Sequence, residues 1–411
     1  MRAFYHLAIH FYSFFIRLAA TAGNNKATLW INGRKGWRNN LKNANLQNEN
    51  ITWFHVASLG EFEQARPLIE KIKEDEPNSY ILLSFFSPSG YEIRKNYNLA
   101  DKIIYLPEDT VKNVENFLEL INPKRVIFVK YEFWFNYLKQ VSQRKIECYL
   151  VCGIFRKNQH FFKWYGGWFR KNLSAFTHFF VQNNESKKLL NKIRISNVSI
   201  AGDTRLDRVL TIANQEFKDN RLESFARNSK VIAFGSSWEK EHDLALALSQ
   251  TELNYKIVIA PHEINLHKIK SLKERFTAKC QLLSETSISD DLSNSTVLII
   301  DKIGLLAKLY RYAHIAFIGG GFGSGIHNIL EANVYGIPVL FGPNYRKFQE
   351  AFDLIELQAG FSVATESEFI RKAEEFLHNK ELYEKASNQA STYVEQNKGA
   401  TEKITSTIYS T

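Results

Sequence analysis

Two sets of residues in this chain have the types and spacing to do chemistry. The first is Gly319-Gly320-Gly321-Phe322-Gly323-Ser324-Gly325, five glycines in seven residues at the end of the apolar run Ile315–Ile318. Without a Cβ, the backbone can approach a ligand closely and enter φ > 0. The polar residues behind it, His327, Asn328 and Glu331, read as the opening of a helix, whose free N–H groups and positive dipole end favour a phosphate. Glu331 stands where a carboxylate can accept hydrogen bonds from ribose hydroxyls. The strand and turn Gly336-Ile-Pro-Val-Leu-Phe-Gly-Pro343 just behind tip the reading from a plain Gly-rich turn to a nucleotide site. The second set is Ser58-Leu59-Gly60-Glu61, which puts a carboxylate at a strand-to-helix turn. A carboxylate there can serve as a general base if a hydroxyl comes within hydrogen-bond reach. By position alone, the helix dipole also accounts for it.

The elements that must carry these sets follow from periodicity. Ile51–Ser58 reads as a buried strand, and a helix then runs to about Glu76 with apolar spacing at Phe62, Ala65, Leu68, Ile69 and Ile72. Pro77 and Asn78 end it. Ser79–Ser84 is the next strand, and Phe85–Gly90 a loop opening a helix. Further strands are predicted at Lys102–Leu106, Arg125–Lys130, Glu147–Cys152, His178–Gln182 and Val198–Gly202. Alternation of strands with helices implies a parallel sheet covered on both faces. The pattern restarts at Lys230–Gly235, leading into Ser236-Ser237, with strands at Lys256–Ala260, Thr296–Ile300, Ala313–Ile318 and Pro338–Phe341, and helices from Glu366 onward. The expectation is an α/β chain with two facing, Rossmann-like, doubly wound domains at 23–211 and 229–411. A linker at 212–228 joins them, and a membrane-associated helix at 1–22 precedes them. Ligands of such sheets bind at the carboxyl ends of the strands, so the active site is expected in the cleft between the domains.

Composition narrows the partners. The 411 residues, 45% hydrophobic and 23% charged, suit two globular domains rather than a disordered chain. Cys148, Cys152 and Cys280 form no C-x-x-C pair, which argues against a zinc site or a disulfide framework and fits a reducing cytoplasm. His6 and His10 have helical ligand spacing but no adjacent glutamate, so no metal is expected. The net charge of +10 divides unevenly, +13 in residues 1–210 and −3 in the rest, so the first half is expected to meet an anionic surface. Phe4–Ala20 is rich in aromatic and aliphatic residues but is interrupted by His6, His10 and Arg17. That suits a helix lying in a membrane interface better than one crossing it, and it does not resemble a secretory signal. Lys26, Arg34, Lys35 and Arg38, with Trp30 and Trp37, are expected at the lipid headgroups. No nucleic-acid-binding motif is present, and nothing specifies an oligomeric state.

The order of these pieces resembles the 3-deoxy-D-manno-octulosonic acid (Kdo) transferases of lipid A assembly, two-domain enzymes of GT-B glycosyltransferase architecture. The resemblance runs through His55-Val-Ala-Ser58-Leu-Gly60-Glu61, Ser84-Phe-Phe-Ser87-Pro88-Ser89-Gly90, Leu106-Pro107-Glu-Asp109, Glu132-Phe-Trp134 and Phe155-Arg156. It continues in Gly202-Asp-Thr204-Arg205-Leu-Asp207, Phe234-Gly235-Ser236-Ser237 and the block Gly319–Glu331, covering nearly the whole chain. It implies transfer of Kdo from CMP-Kdo to a hydroxyl of a phosphorylated lipid A precursor, with release of CMP and no cofactor or obligatory metal. It also implies work at the cytoplasmic face of the inner membrane. A UDP-sugar transferase of the same architecture and a non-catalytic nucleotide-binding protein are the rival readings.

The resemblance also assigns roles. Glu61 matches the family's base in its Ser-x-Gly-Glu motif. Arg205, at a place where the family often has lysine, is expected at a phosphate or the donor carboxylate, with an ion pair to Asp203 or Asp207 as the alternative. Ser236 and Ser237 are expected at the CMP phosphate or as helix caps. The third position of that motif departs, Trp238 standing where many members have histidine. Pro261-His262-Glu263 replaces a usual Pro-Arg-His-Pro, which leaves His262 as a nucleotide contact. Asn328 and Glu331 keep the family spacing, although Ile326 replaces a glycine and Ala332-Asn333 replaces Pro-Ala. Gly319, Gly320, Gly321, Gly323 and Gly325 form the donor loop. Ser58, Gly60, Ser87, Ser89, Glu132 and Arg156 are expected on the acceptor or donor-sugar side, an internal Glu132–Arg156 ion pair being the alternative.

Overall fold

Apolar runs long enough for a strand are buried on both faces, as a parallel sheet under helices requires. In the computed structural model, which describes residues 1–44, 46, 50–252, 254–276 and 279–409, β1 (Ile51–Val56) is buried at every position. β2 (Tyr80–Phe85), β3 (Lys102–Tyr105), β4 (Arg125–Val129), β5 (Glu147–Gly153), β6 (His178–Val181) and β7 (Val198–Ile200) complete its sheet. The order is β3-β2-β1-β4-β5-β6-β7 and every pairing is parallel. The order reverses between β1 and β4, which opens a crevice at their carboxyl ends. One apolar cluster around Trp53, Phe117, Phe128 and Tyr137 covers one face of this sheet, and another around Phe54, Phe62, Leu83 and Val129 covers the other.

The second sheet contains β8 (Val231–Ser237), β9 (Lys256–Pro261), β10 (Cys280–Leu282), β11 (Val297–Ile299), β12 (Ile315–Ile318), β13 (Val339–Phe341) and β14 (Gly360–Ser362). Its order is β10-β11-β9-β8-β12-β13-β14, again all parallel, with the reversal between β8 and β12. The expected α/β class and both doubly wound sheets are present. The edge strands β10 and β14 were not expected, since three residues each carry no strand-length apolar run. β8 runs past Gly235, with its register shifting between Gly235 and Ser237, where Ser236 takes a positive φ of 50°.

Contacts divide the chain into Met1–Asp207 with Lys398–Thr411, and Arg208–Asn397. The end of the chain therefore returns to the first unit instead of closing the second. The Asp207 carboxylate accepts the Gly399 and Thr401 N–H groups at 2.6 Å each, and Ile404 and Ile408 enter the cluster with Phe54 and Phe62. The expected linker carries structure, with helices Thr204–Asn214 and Asn220–Ala226.

The first helix, Arg2–Thr21, packs through Tyr5, whose hydroxyl donates to Asp109, through Tyr12 stacked on Phe86 at 5.9 Å, and through buried Ser13. Phe4, Leu7, Phe11, Phe14, Phe15 and Leu18 are exposed along its other side. Among the described residues no helix is long and apolar enough to cross a membrane. Two residues expected at the headgroups are instead in the interior. Arg34 lies 3.8 Å over the buried Trp30 ring and donates to the carbonyls of Leu106, Trp30 and Phe86. Three carbonyl acceptors and an aromatic face satisfy a guanidinium without a carboxylate.

Candidate functional site

In the first unit the crevice beside β1 gathers the expected side chains. Ser58 caps the helix Leu59–Asp75 and Ser87 caps the helix Pro88–Arg94, each following the carboxyl end of its strand. The two turns touch. The Ser87 N–H donates to the Ala57 carbonyl at 2.8 Å, and a Cβ on Gly90 would press on Leu59 N and the Phe85 ring. The Ser87 and Ser89 hydroxyls lie 2.7 Å apart, while Gly60 is exposed with open space around it. Ser58, Gly60, Glu61, Ser87 and Ser89 thus form one patch.

Glu61 is partly buried and accepts the Ala57 N–H through its own carboxylate at 2.5 Å. Its pKa is pushed up to about 8, first by burial and then by the negative charge of Glu132, while the Ala57 N–H and the Lys130 ammonium hold it down. Glu132, itself buried, follows the end of β4. Its carboxylate meets His55 Nε2 at 3.0 Å and accepts the Trp134 indole N–H at 2.6 Å. His55 is fully buried, and its Nδ1 faces the Ser84 hydroxyl at 2.9 Å; that hydroxyl accepts the Trp53 indole N–H at 2.7 Å. A buried polar chain therefore fixes the charge that acts on Glu61. The alternative of a Glu132–Arg156 ion pair is excluded: Arg156 is exposed and lies 5.7 Å over the Tyr131 ring.

Arg205 opens the helix Thr204–Asn214 and belongs to the first unit. It donates to Asp203 from Nε at 3.1 Å and from a terminal nitrogen at 2.7 Å, the ion-pair alternative. Burial would raise the Asp203 carboxyl, but Arg205 overrides it and holds the group below its ordinary value. Asp203 also accepts Gln64 at 3.0 Å, which ties the end of β7 to the helix carrying Glu61.

In the second unit the Gly-rich loop is built differently from expectation. The helix behind it is one turn, Leu330–Asn333, beginning well past Gly325, so it offers no long helix N-terminus to the loop. Gly319 and Gly321 lack side chains because backbone fills the space, Ser236 beside Gly319 and Gly342 beside Gly321. Gly320 and Gly325 take φ of 86° and 140°, and the Gly320 N–H donates to the buried Glu241 at 2.9 Å. Gly323 remains open. Glu241 also accepts the Trp238 N–H at 2.9 Å, so one carboxylate joins the start of the helix Glu239–Ser249 to the loop. A cavity of about 430 Å³ lies there, lined by Trp238, Lys240, Gly320, Phe322, Gly323 and Ser324 among others.

The Ser237 hydroxyl points inward, 3.1 Å from His242 Nε2 and 3.3 Å from the Ala260 carbonyl, while Ser236 is partly exposed. Asn328 donates to Glu331 at 3.1 Å and accepts the Leu330 N–H at 3.2 Å, so it caps the turn that carries Glu331. His262 stacks on Trp238 at 4.7 Å and on His327 at 4.2 Å. The Trp238 indole N–H donates to His327 Nε2 at 3.0 Å with the rings only 17° apart. Trp238 and His327 thus form one flat hydrogen-bonded plate beneath or above His262. Burial pushes both histidines down, His327 to about 4.

Sequence reasoning did not select Lys130, His55, Trp238 or His327 as site residues. His55 and Lys130 had a signal, a lone imidazole inside an apolar strand and an ammonium ending one. Trp238 and His327 stand 89 residues apart, and no local pattern joins them.

Residues 32–208 match the family model described as 3-deoxy-D-manno-octulosonic-acid transferase (kdotransferase). The 3-deoxy-D-manno-octulosonic acid transferase of Aquifex aeolicus is 28% identical over 79% of this chain and 85% of its own length. That of Haemophilus influenzae is 25% identical over 86% of this chain and 85% of its own. A bifunctional glycosyltransferase/methyltransferase of Fusobacterium nucleatum is 25% identical, and the chain spans 53% of its length. Among solved structures, UDP-GlcNAc 2-epimerase from Neisseria meningitidis aligns with a TM-score of 0.60 at 19% identity, over 88% of this chain and 99% of that one. Acinetobacter baumannii MurG aligns at 0.55 and 11%, over 88% and 100%. These two show the GT-B-like fold. Residues 32–208 thus carry a Kdo-transferase family domain, the chain is similar to Kdo transferases over most of its length, and it is a glycosyltransferase of lipopolysaccharide biosynthesis.

Proposed function

We propose that this chain is a Kdo transferase that takes Kdo from CMP-Kdo and attaches it to a hydroxyl of a phosphorylated lipid A precursor of the lipid IVA type. The acceptor oxygen attacks the anomeric carbon of Kdo, the bond from that carbon to the phosphate oxygen breaks, and its electron pair leaves with CMP. Glu61 takes the hydroxyl proton. The observation that carries this reading is the environment of Glu61, a partly buried carboxyl at a strand end with its pKa raised to about 8 by burial and Glu132. A base titrating near working pH combines a useful fraction of carboxylate with real basicity. Glu132 and Lys130 set that basicity from opposite signs, and His55, Ser84 and Trp134 hold Glu132 in place. Ser58, Gly60, Ser87 and Ser89 face the acceptor or the Kdo ring, Arg156 offers its exposed guanidinium on the same side, and Arg205 holds a donor anion by exchanging part of its bond to Asp203.

The second unit takes the nucleotide. Ser236 and the open Gly323 stretch of the loop meet the phosphate, Glu331 the ribose, and the plate of Trp238 and His327 the cytosine. No step passes through a cofactor or a metal. The exposed apolar side of the helix Arg2–Thr21 rests on the cytoplasmic leaflet of the inner membrane, where the acceptor resides. The test is transfer from CMP-Kdo, generated in situ, to a tetra-acylated lipid A precursor in detergent, read by mass spectrometry. A gain of one or more Kdo masses with wild type and its loss with Glu61→Gln supports the reading. No gain with folded, CMP-binding wild type overturns the donor–acceptor pair, and equal gain with the variant removes Glu61 as base.

A further inference from the structure

We propose that a cavity at the amino end of the first helix binds the phosphodiester head group of an anionic bilayer phospholipid. The inference rests on the reading that this helix lies on the membrane, and it adds a lipid-selective seat. The cavity has a volume of about 310 Å³, and its lining includes Arg2, Lys139 and Lys171 but no carboxylate. Its apolar wall is a packed aromatic group, Tyr5 edge-on to Phe135 at 5.0 Å and Phe135 edge-on to Trp168 at 4.6 Å. Tyr5 is pinned through its hydroxyl to Asp109, so the wall is fixed before any ligand arrives. The positive field is already felt by a neighbour: His6 is pushed below its ordinary pKa by burial, and further by Arg2, His10 and Lys139. A guanidinium and two ammonium groups around a pre-formed apolar wall suit a phosphate ester carrying an apolar tail.

The bilayer is the favoured source. Phe4, Leu7 and Phe11 leave the same helix exposed next to Arg2, so acyl chains have an apolar surface to follow. Lys139 and Lys171 lie on the helices Phe135–Gln143 and Gly167–Leu173, which run back from the carboxyl edge of the sheet toward its amino edge.

The experiment is flotation of the full chain with vesicles of phosphatidylcholine alone or mixed with phosphatidylglycerol, at fixed 0.1 M-scale salt. Wild type is compared with Lys139→Gln/Lys171→Gln and with the charge-matched Lys188→Gln/Lys192→Gln on a different helix. Circular dichroism checks that all three fold. The expected result is a preference of wild type for the anionic vesicles that falls about tenfold in the cavity variant and persists in the matched one, each cation near an anionic surface contributing several-fold. Equal loss in both variants, or no preference in wild type, overturns the proposal. Saturable binding of inorganic phosphate without lipid preference would mark a free-phosphate site and also overturn it. Failure of wild type to bind any vesicle would remove the membrane reading itself, whereas binding to neutral vesicles without selectivity removes only the head-group seat.

Discussion

At the carboxyl edge of the first sheet, the partly buried Glu61 and the buried Glu132 lie within range of each other's charge, and Glu61, on the helix start, is pushed up to about 8. At the corresponding edge of the second sheet, the buried carboxylate Glu241 is consumed by the Trp238 and Gly320 N–H groups. The surface it leaves is a plate of neutral rings, with both histidines pushed below their ordinary range. Strand order reverses in the same way in both sheets, so topology provides a crevice and the residues at its rim decide its use. In the proposed reading one rim exchanges a proton and the other holds a flat ligand.

The sharpest way to break this comparison is to disable each rim alone. Glu61→Gln should lower the rate of transfer by about 10²–10⁴-fold, the usual worth of a positioned base, and leave CMP affinity unchanged in a titration. Trp238→Ala should do the reverse, weakening CMP by roughly tenfold to a hundredfold for a lost base stack while turnover at saturating donor stays near wild type. Loss of CMP binding in Glu61→Gln, or of turnover alone in Trp238→Ala, would end the division of labour.

A smaller effect tests the charges around Glu61. The rate kcat/KM should rise with pH through an inflection near 8 as the carboxylate forms. Glu132 raises that pKa, so Glu132→Gln should move the inflection to lower pH; Lys130 lowers it, so Lys130→Met should move it up. An inflection that ignores both substitutions would mean another group controls the profile.

Much of the frame was readable because long apolar runs have one stable use, a strand buried on both faces. β1, β4 and β12 lie within the predicted runs, and Ser58-x-Gly60-Glu61 forms the expected turn. What was not readable depends on residues far apart in sequence. Glu132 finds His55 across 77 positions, and Asp207 recruits Gly399 and Thr401 across nearly two hundred, which returns the last helix to the first unit. The glycine block shows the same limit. Composition marks a place where backbone comes close, but only the fold shows that Gly342, and not a ligand, occupies the space beside Gly321. Gly321→Ala should therefore cost about 1–3 kcal/mol of stability through overpacking, measurable by denaturant unfolding, whether or not nucleotide is present.

The smallest effect separates the two rims by stability instead of activity. Glu61 titrates at about 8 in the folded chain against an ordinary 4.5. Between those values the folded chain keeps a proton that the unfolded chain has released, so stability falls as pH rises across that window. Below 4.5 both states are protonated and above 8 both are ionised, so the penalty is absent at the acid end and constant at the alkaline end. Glutamine has no such titration. The melting temperature of Glu61→Gln relative to wild type should therefore climb from pH 5 to pH 8 and level off above it. Trp238→Ala should show a difference from wild type that does not climb over that window, because its rim partner His327, at about 4, is already neutral there and burial pushes His262 down as well. A flat difference for Glu61→Gln would mean that burial and Glu132 do not hold the proton on Glu61, and the contrast between a proton-exchanging rim and a neutral one would then lose its physical cause.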